Sequence, residues 1–166
     1  KLMTKVVFPG TFDPIHFGHI DIATRSSKLF DEVVVAVYDK PLKNLLFTPE
    51  MRIELAREAL KHLPNVQVMG YSGLTVSFAE AIGATAIVRG LRVFSDFELE
   101  FRMALANRRL LPEIDTIALI TTEENTFLSA STVKEIASLG GDVSSMVPEH
   151  VNRALKVRYQ ALENEN

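Results

Sequence analysis

The stretch VVVAV at residues 33–37 contains no polar side chain. A strand that is apolar at every position is typical of a parallel sheet whose two faces are both covered by helices. Four other short runs are candidate strands, at residues 6–8, 66–69, 86–88 and 117–120. Five such runs with helical patterning between them predict an α/β fold.

Helix signals occupy the intervals between these runs. Thr48, Pro49 and Glu50 combine an N-cap residue, a first-turn proline and a first-turn acid, which predicts a helix start. Later helices are predicted over residues 97–110 (opened by Ser95 and Asp96), over 131–139 (closed by Gly140 as a left-handed C-cap), and from 149 onward. The alternation predicts one domain over residues 1–166, with a doubly wound sheet of five mostly parallel strands and flanking helices.

The composition excludes several function classes. With 47% hydrophobic and 23% charged residues, the chain can form a core and is not disordered. A net charge of −3 without a long basic run argues against a nucleic-acid partner. No apolar run reaches the length of a membrane span, so no membrane partner is expected. The absence of cysteine excludes disulfides and thiolate metal sites.

The chain ends carry no targeting signal that the sequence reveals. Residues 1–8 lead directly into a strand-like run and lack a signal-peptide pattern, which together with the missing cysteines predicts a cytoplasmic protein. We expect Met3 to be the natural first residue, and Lys1 and Leu2 to be additions from an expression vector. The polar residues 163–166 are expected to fray.

Ligands of doubly wound sheets bind beyond the carboxyl ends of the strands, so functional residues should follow the predicted strands. The loop PGTFDPIHFGH at residues 9–19 follows the first strand and runs into a helix near His19. A helix N-terminus binds phosphate, Thr11 can donate a hydroxyl, and His19 can donate a ring N–H or a full charge. Gly18 is expected to let a ligand approach the backbone. The alternative is a rigid turn with a histidine cap, and His16 is interpreted as a loop residue.

Three further segments follow predicted strand ends. Arg89 and Arg92 flank Gly90 and Leu91, and guanidinium groups are suited to forked phosphate contacts. The acids at residues 96–100 are interpreted first as partners of a helix dipole. Lys43 follows the second strand, although a single loop lysine is usually only solvated. Residues 125–132 offer hydroxyl and N–H groups at a helix start, either as a phosphate cradle or as an ordinary cap.

Together these segments resemble a known enzyme family. The His-x-Gly-His spacing after a first strand is similar to the signature of the nucleotidyltransferase superfamily. The sequence also contains, in order, LFTPEMR (46–52), GLTV (73–76), RGLR (89–92), DFELE (96–100) and LSAST (128–132). This series resembles the bacterial phosphopantetheine adenylyltransferases, and the resemblance implies a Rossmann-like fold.

The resemblance also implies an activity. The expected reaction transfers AMP from ATP to 4′-phosphopantetheine and releases pyrophosphate and dephospho-coenzyme A, with Mg²⁺ carried by ATP and no metal ligand from the chain. A homohexamer is expected. The implied catalytic residues are His19, Lys43 and Arg92, and the implied acceptor-binding residues are Thr11, Lys43, Thr75 and Arg89. The implied ATP-binding residues are Thr11, Phe12, His19, Gly90, Leu91, Arg92, Glu100, Asn125, Thr126, Phe127, Leu128, Ser129, Ala130 and Ser131.

Other interpretations stay open at this point. A different adenylyltransferase, acting on a pyridine mononucleotide, would share the histidine motif, and so would a cytidylyltransferase. A non-catalytic nucleotide-binding module and a tRNA-binding protein are further alternatives, which the intact cations and the acidic balance disfavour. The helix at residues 97–110 is apolar on more than one face, which predicts either a fully buried helix or a contact between subunits.

Overall fold

The computed structural model describes residues 3–41 and 44–166, without the side chains of Phe94 and Ser95. Lys43 lies outside the described residues, and so do Lys1 and Leu2. Five strands form one sheet with the order β3-β2-β1-β4-β5, and every neighbouring pair is parallel. The strands are β1 (Lys5–Gly10), β2 (Glu32–Tyr38), β3 (Val66–Tyr71), β4 (Ala86–Leu91) and β5 (Asp115–Ile120). The predicted five-stranded doubly wound sheet is confirmed.

Two hydrophobic clusters cover the two faces of this sheet. Val33, Val35 and Val37 belong to the larger cluster, whereas Ala36 belongs to the smaller one. Side chains alternate between the faces of a strand, so the apolar run at residues 33–37 of β2 contributes to both clusters. The strand order reverses between β1 and β4, which places a crevice at their carboxyl ends.

Six α-helices flank the sheet within the described ranges, and a short 3₁₀ turn at Glu123–Asn125 follows β5. The helices are α1 (Phe17–Leu29), α2 (Pro49–Leu60), α3 (Thr75–Ala81), α4 (Phe94–Leu110), α5 (Ala130–Ser138) and α6 (Glu149–Asn164). None of them is long and apolar enough to cross a membrane.

The helix start predicted at Thr48 is confirmed, because its hydroxyl accepts a hydrogen bond from the N–H of Met51. Gly140 has a φ of 77°, as a left-handed C-cap requires.

Several predicted boundaries are wrong by one to three residues. The helix α4 begins at Phe94 rather than at residue 97, because the Asp96 carboxylate binds Arg92 instead of capping the helix. The helix α5 begins at Ala130, since Ser129 caps it by accepting from the N–H of Thr132. The strand β4 continues through Arg89, Gly90 and Leu91, which were expected to follow it. The short helix α3 was not predicted, and α6 includes Glu163 and Asn164.

The interpretation of α4 as a fully buried helix is wrong for the single chain. Five apolar side chains on this helix are each 50–55% exposed, and they are Phe97, Leu99, Phe101, Met103 and Leu105. They cover more than one face of the helix, so the chain by itself leaves these faces unpartnered.

A buried guanidinium connects the loops that follow β1 and β2. Arg52 is 0% exposed, and its Nη1 donates to the carbonyl oxygens of Thr11 and Tyr38 at 2.7 Å each. Its Nη2 donates to the carbonyl oxygen of Asp39 at 3.3 Å. Burial lowers the pKa of Arg52 from its ordinary value.

The buried carboxylate of Asp13 connects a second set of segments. Its Oδ1 accepts from the N–H of Phe47 at 3.0 Å, and its Oδ2 accepts from the N–H of Leu46 and from Lys134 Nζ, at 2.9 Å each. One side chain therefore joins the loop after β1, the segment before α2, and α5.

We expect Arg52→Met to lower the free energy of unfolding by about 3 kcal/mol, because three buried carbonyl groups lose their donor. Urea denaturation of the variant and the native protein measures this difference. Arg153→Met is the control, since Arg153 forms an exposed ion pair with Glu149 and should change little. A loss at Arg52 no larger than the loss at Arg153 would contradict this role.

Candidate active site

The crevice at the carboxyl ends of β1 and β4 contains an open cavity of about 340 Å³. Its position agrees with the expectation for a doubly wound sheet, at the point where the strand order reverses. Twelve of the residues singled out from the sequence line it, namely Thr11, Phe12, His19, Arg89, Gly90, Arg92, Glu100, Asn125, Leu128, Ser129, Ala130 and Ser131. Thus loops and strand ends that are far apart in sequence form one site.

Four of the singled-out residues do not line this cavity. Thr75 is the first residue of α3, and its hydroxyl oxygen lies 3.0 Å from the hydroxyl oxygen of Tyr71. Leu91 is the last residue of β4, and Thr126 and Phe127 lie between the 3₁₀ turn and α5, with Phe127 largely exposed. Lys43 lies outside the described residues.

Two histidines form a reciprocal cap at the start of α1. His16 Nδ1 accepts from the N–H of Gly18 at 3.0 Å, and His19 Nδ1 accepts from the N–H of His16 at 3.1 Å. Their rings stack with centroids 3.7 Å apart. A Cβ atom at Gly18 would lie 2.8 Å from His16 Cε1. The glycine therefore makes room for the His16 ring, and it also lines the cavity, where a ligand was expected to approach.

These hydrogen bonds determine where the histidine protons lie. A ring nitrogen that accepts a backbone N–H carries no hydrogen, so both neutral rings carry it on Nε2. Burial, and then the charge of Arg92, lower the pKa of His16 to about 4. Burial is also the largest cause that lowers the pKa of His19 well below 6.5, with His16, Arg89 and Arg92 adding to it. In the chain without ligand, burial and the hydrogen bond at Nδ1 therefore favour the neutral Nε2–H form of His19 over the charged form.

Each cavity arginine is held along one edge by a carboxylate of α4. Arg89 donates from Nε and Nη2 to Glu100 at 2.9 and 2.8 Å, and from Nη1 to the carbonyl oxygen of Pro9 at 2.7 Å. Arg92 donates from Nε and Nη2 to Asp96 at 3.0 and 3.2 Å, and from Nη1 to the carbonyl oxygen of Leu128 at 2.6 Å.

The ion pairs leave part of each guanidinium free. A guanidinium has five N–H groups, and within the part of the chain that the structure describes, three of the five in Arg89 and in Arg92 have partners. The side chains are 35% and 33% exposed. Two N–H groups on each arginine remain for an anionic ligand. The acids Asp96 and Glu100 are therefore partners of the cavity arginines and not simply of the helix dipole.

The start of α5 closes another side of the cavity. The Ser129 side chain caps this helix, and Ala130 and Ser131 follow it along the cavity wall. The first N–H groups of a helix point out of its N-terminus and attract anions. Asn125 Nδ2 donates to the hydroxyl of Thr122 at 3.0 Å, which stabilises the turn before the helix. The site thus combines a neutral imidazole donor, two guanidinium groups and a helix N-terminus.

Sequence reasoning assigned no contact with a ligand to three further polar lining residues. His16, Asp96 and Thr121 line the cavity. The spacing of His16 and His19 was visible in the sequence as a motif. The two arginines are three residues apart and the two acids that pair with them are four residues apart, which was visible as well. Thr121 directly follows β5, which is the signal that could have indicated it.

Comparison with known proteins decides the family. A family model described as cytidylyltransferase-like matches residues 7–136. The phosphopantetheine adenylyltransferase of Herpetosiphon aurantiacus is 54% identical over 161 residues, which cover 97% of this chain and 98% of that protein. The chain belongs to the phosphopantetheine adenylyltransferase family. A second protein of that name, from a Roseiflexus species, is 52% identical, and the alignment covers 95% of this chain and 98% of that protein.

The fold of this phosphopantetheine adenylyltransferase family member is shared with more distant proteins. The Plasmodium falciparum nicotinic acid mononucleotide adenylyltransferase, solved with NaAD, superposes with a TM-score of 0.69. The two sequences are 13% identical, and the superposition covers 95% of this chain and 96% of the Plasmodium chain. At that identity the likeness concerns the Rossmann-like fold alone.

The histidine pair predicts a pH dependence of stability. Because the pKa of folded His16 is about 4 and that of an ordinary histidine is 6.5, the unfolded chain binds more protons between these values. The free energy of unfolding should therefore fall as the pH decreases from 6.5 towards 4. We expect His16→Asn, which keeps a cap acceptor but does not titrate, to reduce this slope by about 1 kcal/mol per pH unit.

Urea denaturation between pH 7 and 4.5 measures the slope. His62→Gln, at an exposed position just after the end of α2, is the matched control and should retain the native slope. If His16→Asn retained it as well, protonation of His16 would not contribute to the acid sensitivity.

Proposed function

We propose that this chain is a cytoplasmic pantetheine-phosphate adenylyltransferase, which transfers AMP from ATP to 4′-phosphopantetheine in coenzyme A biosynthesis. The products are dephospho-coenzyme A and pyrophosphate. The observation that carries the proposal is the convergence of His19 Nε2–H, Arg89, Arg92 and the start of α5 on one cavity. Relatives of the same name, 51–54% identical over nearly their whole length, support the choice of acceptor.

The chemistry requires no base from the protein. The second pKa of a phosphate monoester is about 6, so the acceptor phosphate is largely a dianion at neutral pH. One of its oxygens attacks the α-phosphorus of ATP, the bond from that phosphorus to the bridging oxygen breaks, and the electron pair leaves with pyrophosphate. The enzyme must place the two anions in line and stabilise the charge that develops.

The residues of the cavity suit this task without a proton transfer. His19 would donate its Nε2–H to an oxygen of the reacting α-phosphate, and Arg92, with the loop at residues 125–131, would hold the nucleotide phosphates. Thr11 and Arg89 would hold the acceptor phosphate, together with Lys43 and Thr75. The reaction needs no proton from the protein, so His19 would act as a hydrogen-bond donor through its Nε2–H.

Magnesium would enter with the nucleotide. Mg²⁺ prefers oxygen ligands and is commonly bound through the phosphates of a substrate, whose charge it neutralises. The cavity carboxylates Asp96 and Glu100 are paired with arginines, and the described residues contain no group of three or more His, Asp or Glu side chains placed to hold an ion. We propose that the ion is carried by the triphosphate of ATP.

We expect pyrophosphate release from Mg·ATP with 4′-phosphopantetheine and none with nicotinic acid mononucleotide or without an acceptor. In the same assay His19→Ala should lower kcat by about a hundredfold, as the loss of a transition-state donor does. His62→Ala is the control variant. Release with the mononucleotide alone would overturn the acceptor, and normal kcat with weakened ATP binding would contradict the role of His19.

We also propose that copies of this chain cover the exposed apolar faces of α4 and that the assembly is a homohexamer. Phe97, Phe101 and Leu105 recur every four residues and form one continuous stripe. Exposed stripes of this kind are usual where subunits meet. The acidic residues Asp96 and Glu100 point away from it towards the cavity arginines.

Light scattering should give a mass of six times the 18.5 kDa chain. Phe101→Glu should yield smaller species, because a buried charge without a partner opposes association. Val157→Glu, on the exposed side of α6, should leave the mass unchanged. A monomer of the native protein at micromolar concentration would exclude the assembly.

A further inference from the structure

We propose that Asp96 is a positioning residue for the reaction: it fixes the guanidinium of Arg92 so that its free N–H groups meet the nucleotide phosphates. This inference rests on the proposed function of the same cavity. Asp96 has no hydrogen-bond donor to offer a phosphate. Its place at the start of a helix could also be explained by a favourable interaction with the helix dipole.

The contacts of Asp96 hold both ends of the Arg92 side chain. Asp96 Oδ2 accepts from Arg92 Nε at 3.0 Å and from the Arg92 backbone N–H at 3.2 Å, and Oδ1 accepts from Nη2 at 3.2 Å. One carboxylate thus orients the guanidinium and the backbone that carries it.

The remaining terminal nitrogen is also anchored. Arg92 Nη1 donates to the carbonyl oxygen of Leu128, in the segment that leads into α5. The guanidinium therefore connects α4 with the loop before α5, and both border the cavity. An unrestrained arginine loses about 2 kcal/mol of rotamer entropy when it is immobilised, and here that ordering precedes the ligand.

The sign of its charge argues against a purely electrostatic role for Asp96. A carboxylate beside a polyanion site repels the ligand, so attraction of ATP does not explain its presence. A role in orienting Arg92 does explain the presence of Asp96. The carboxylate pairs with Nε and with one N–H of Nη2, and the other terminal N–H groups of the guanidinium point away from the carboxylate.

The role as a dipole partner is the simpler alternative. Asp96 lies in the first turn of α4, where an acid is favourable, but none of the described side chains caps this helix. The oxygens of Asp96 are hydrogen-bonded to Arg92 instead. Glu98 lies on the same helix with an exposed side chain, so Glu98→Gln removes an equal charge from α4 without touching Arg92.

A role through charge alone and a role in positioning Arg92 predict different effects of Asp96→Asn on kcat and on ATP binding. If the acid only contributed charge, its removal would strengthen ATP binding and leave kcat unchanged. If it positions Arg92, we expect kcat to fall about tenfold with a smaller change in the KM for ATP. Asp96→Glu should recover part of the loss, and Glu98→Gln should behave as the native enzyme.

A double-mutant cycle tests whether Asp96 acts through Arg92. In an Arg92→Ala background, Asp96→Asn should change kcat less than about twofold, because the partner is already missing. An equal loss in both backgrounds, or an unchanged kcat in Asp96→Asn alone, would overturn the proposal. If Asp96→Asn does not fold, Arg92→Lys replaces it, since a lysine keeps the charge but cannot form the paired edge. Native-like turnover of Arg92→Lys would also overturn the proposal.

A readout without catalysis separates this inference from the proposed function. Hydrogen exchange of the Arg92 Nε–H, followed by NMR, should be slow in the native protein and in Glu98→Gln and fast in Asp96→Asn. Slow exchange in all three would overturn the positioning role. If the native protein released no pyrophosphate with 4′-phosphopantetheine, the proposed function would fail, while the exchange rates would still decide the contact between Asp96 and Arg92.

Discussion

The guanidinium of Arg52 joins the carboxyl ends of β1 and β2. A buried cation needs acceptors, and the carbonyl groups of Thr11, Tyr38 and Asp39 supply them. These carbonyl groups lie at the end of β2 and in the loops that follow β1 and β2, so their hydrogen bonds determine the direction in which the chain leaves each strand. Because Thr11 lines the cavity, the geometry of the site depends on a side chain outside the cavity lining.

The same principle recurs inside the cavity, where polar groups are oriented before a ligand arrives. His19 is held by a backbone N–H and a stacked ring, and Arg89 and Arg92 are held by carboxylates and carbonyl groups. Fixed donors of this kind need no reorganisation when charge develops during phosphoryl or nucleotidyl transfer. The acidic residues of the site therefore orient the arginines, and in the proposed function the remaining N–H groups bind phosphate.

The sequence predicted the sheet and the place of the site because both depend on strong local patterns. An apolar run such as residues 33–37 has few alternatives, and parallel strands end at one edge. The role of Asp96 could not be predicted, since a first-turn acid suits a helix dipole equally well. Its actual partner, Arg92, was decided by how α4 packs beside β4.

The weaker predictions failed where tertiary contacts decide. The short helix α3 has no side-chain cap and only seven residues, so its own sequence gives little signal. Phe12 has a φ of 52°, a left-handed conformation that the sequence does not suggest for an aromatic residue, and its ring packs against Phe8 and His19. The protonation of His19 was also undetermined until the burial and hydrogen bonds of the ring were known.

The close approach of the His16 ring to Gly18 makes these two positions depend on each other in evolution. Any residue with a Cβ at position 18 would collide with His16 Cε1 and Nδ1, at 2.8 and 2.9 Å. The same substitution would be tolerated better beside a smaller cap such as serine or threonine. The effect of a mutation at one position is therefore set by the residue at the other, and the order in which the two changes arise decides whether the intermediate folds.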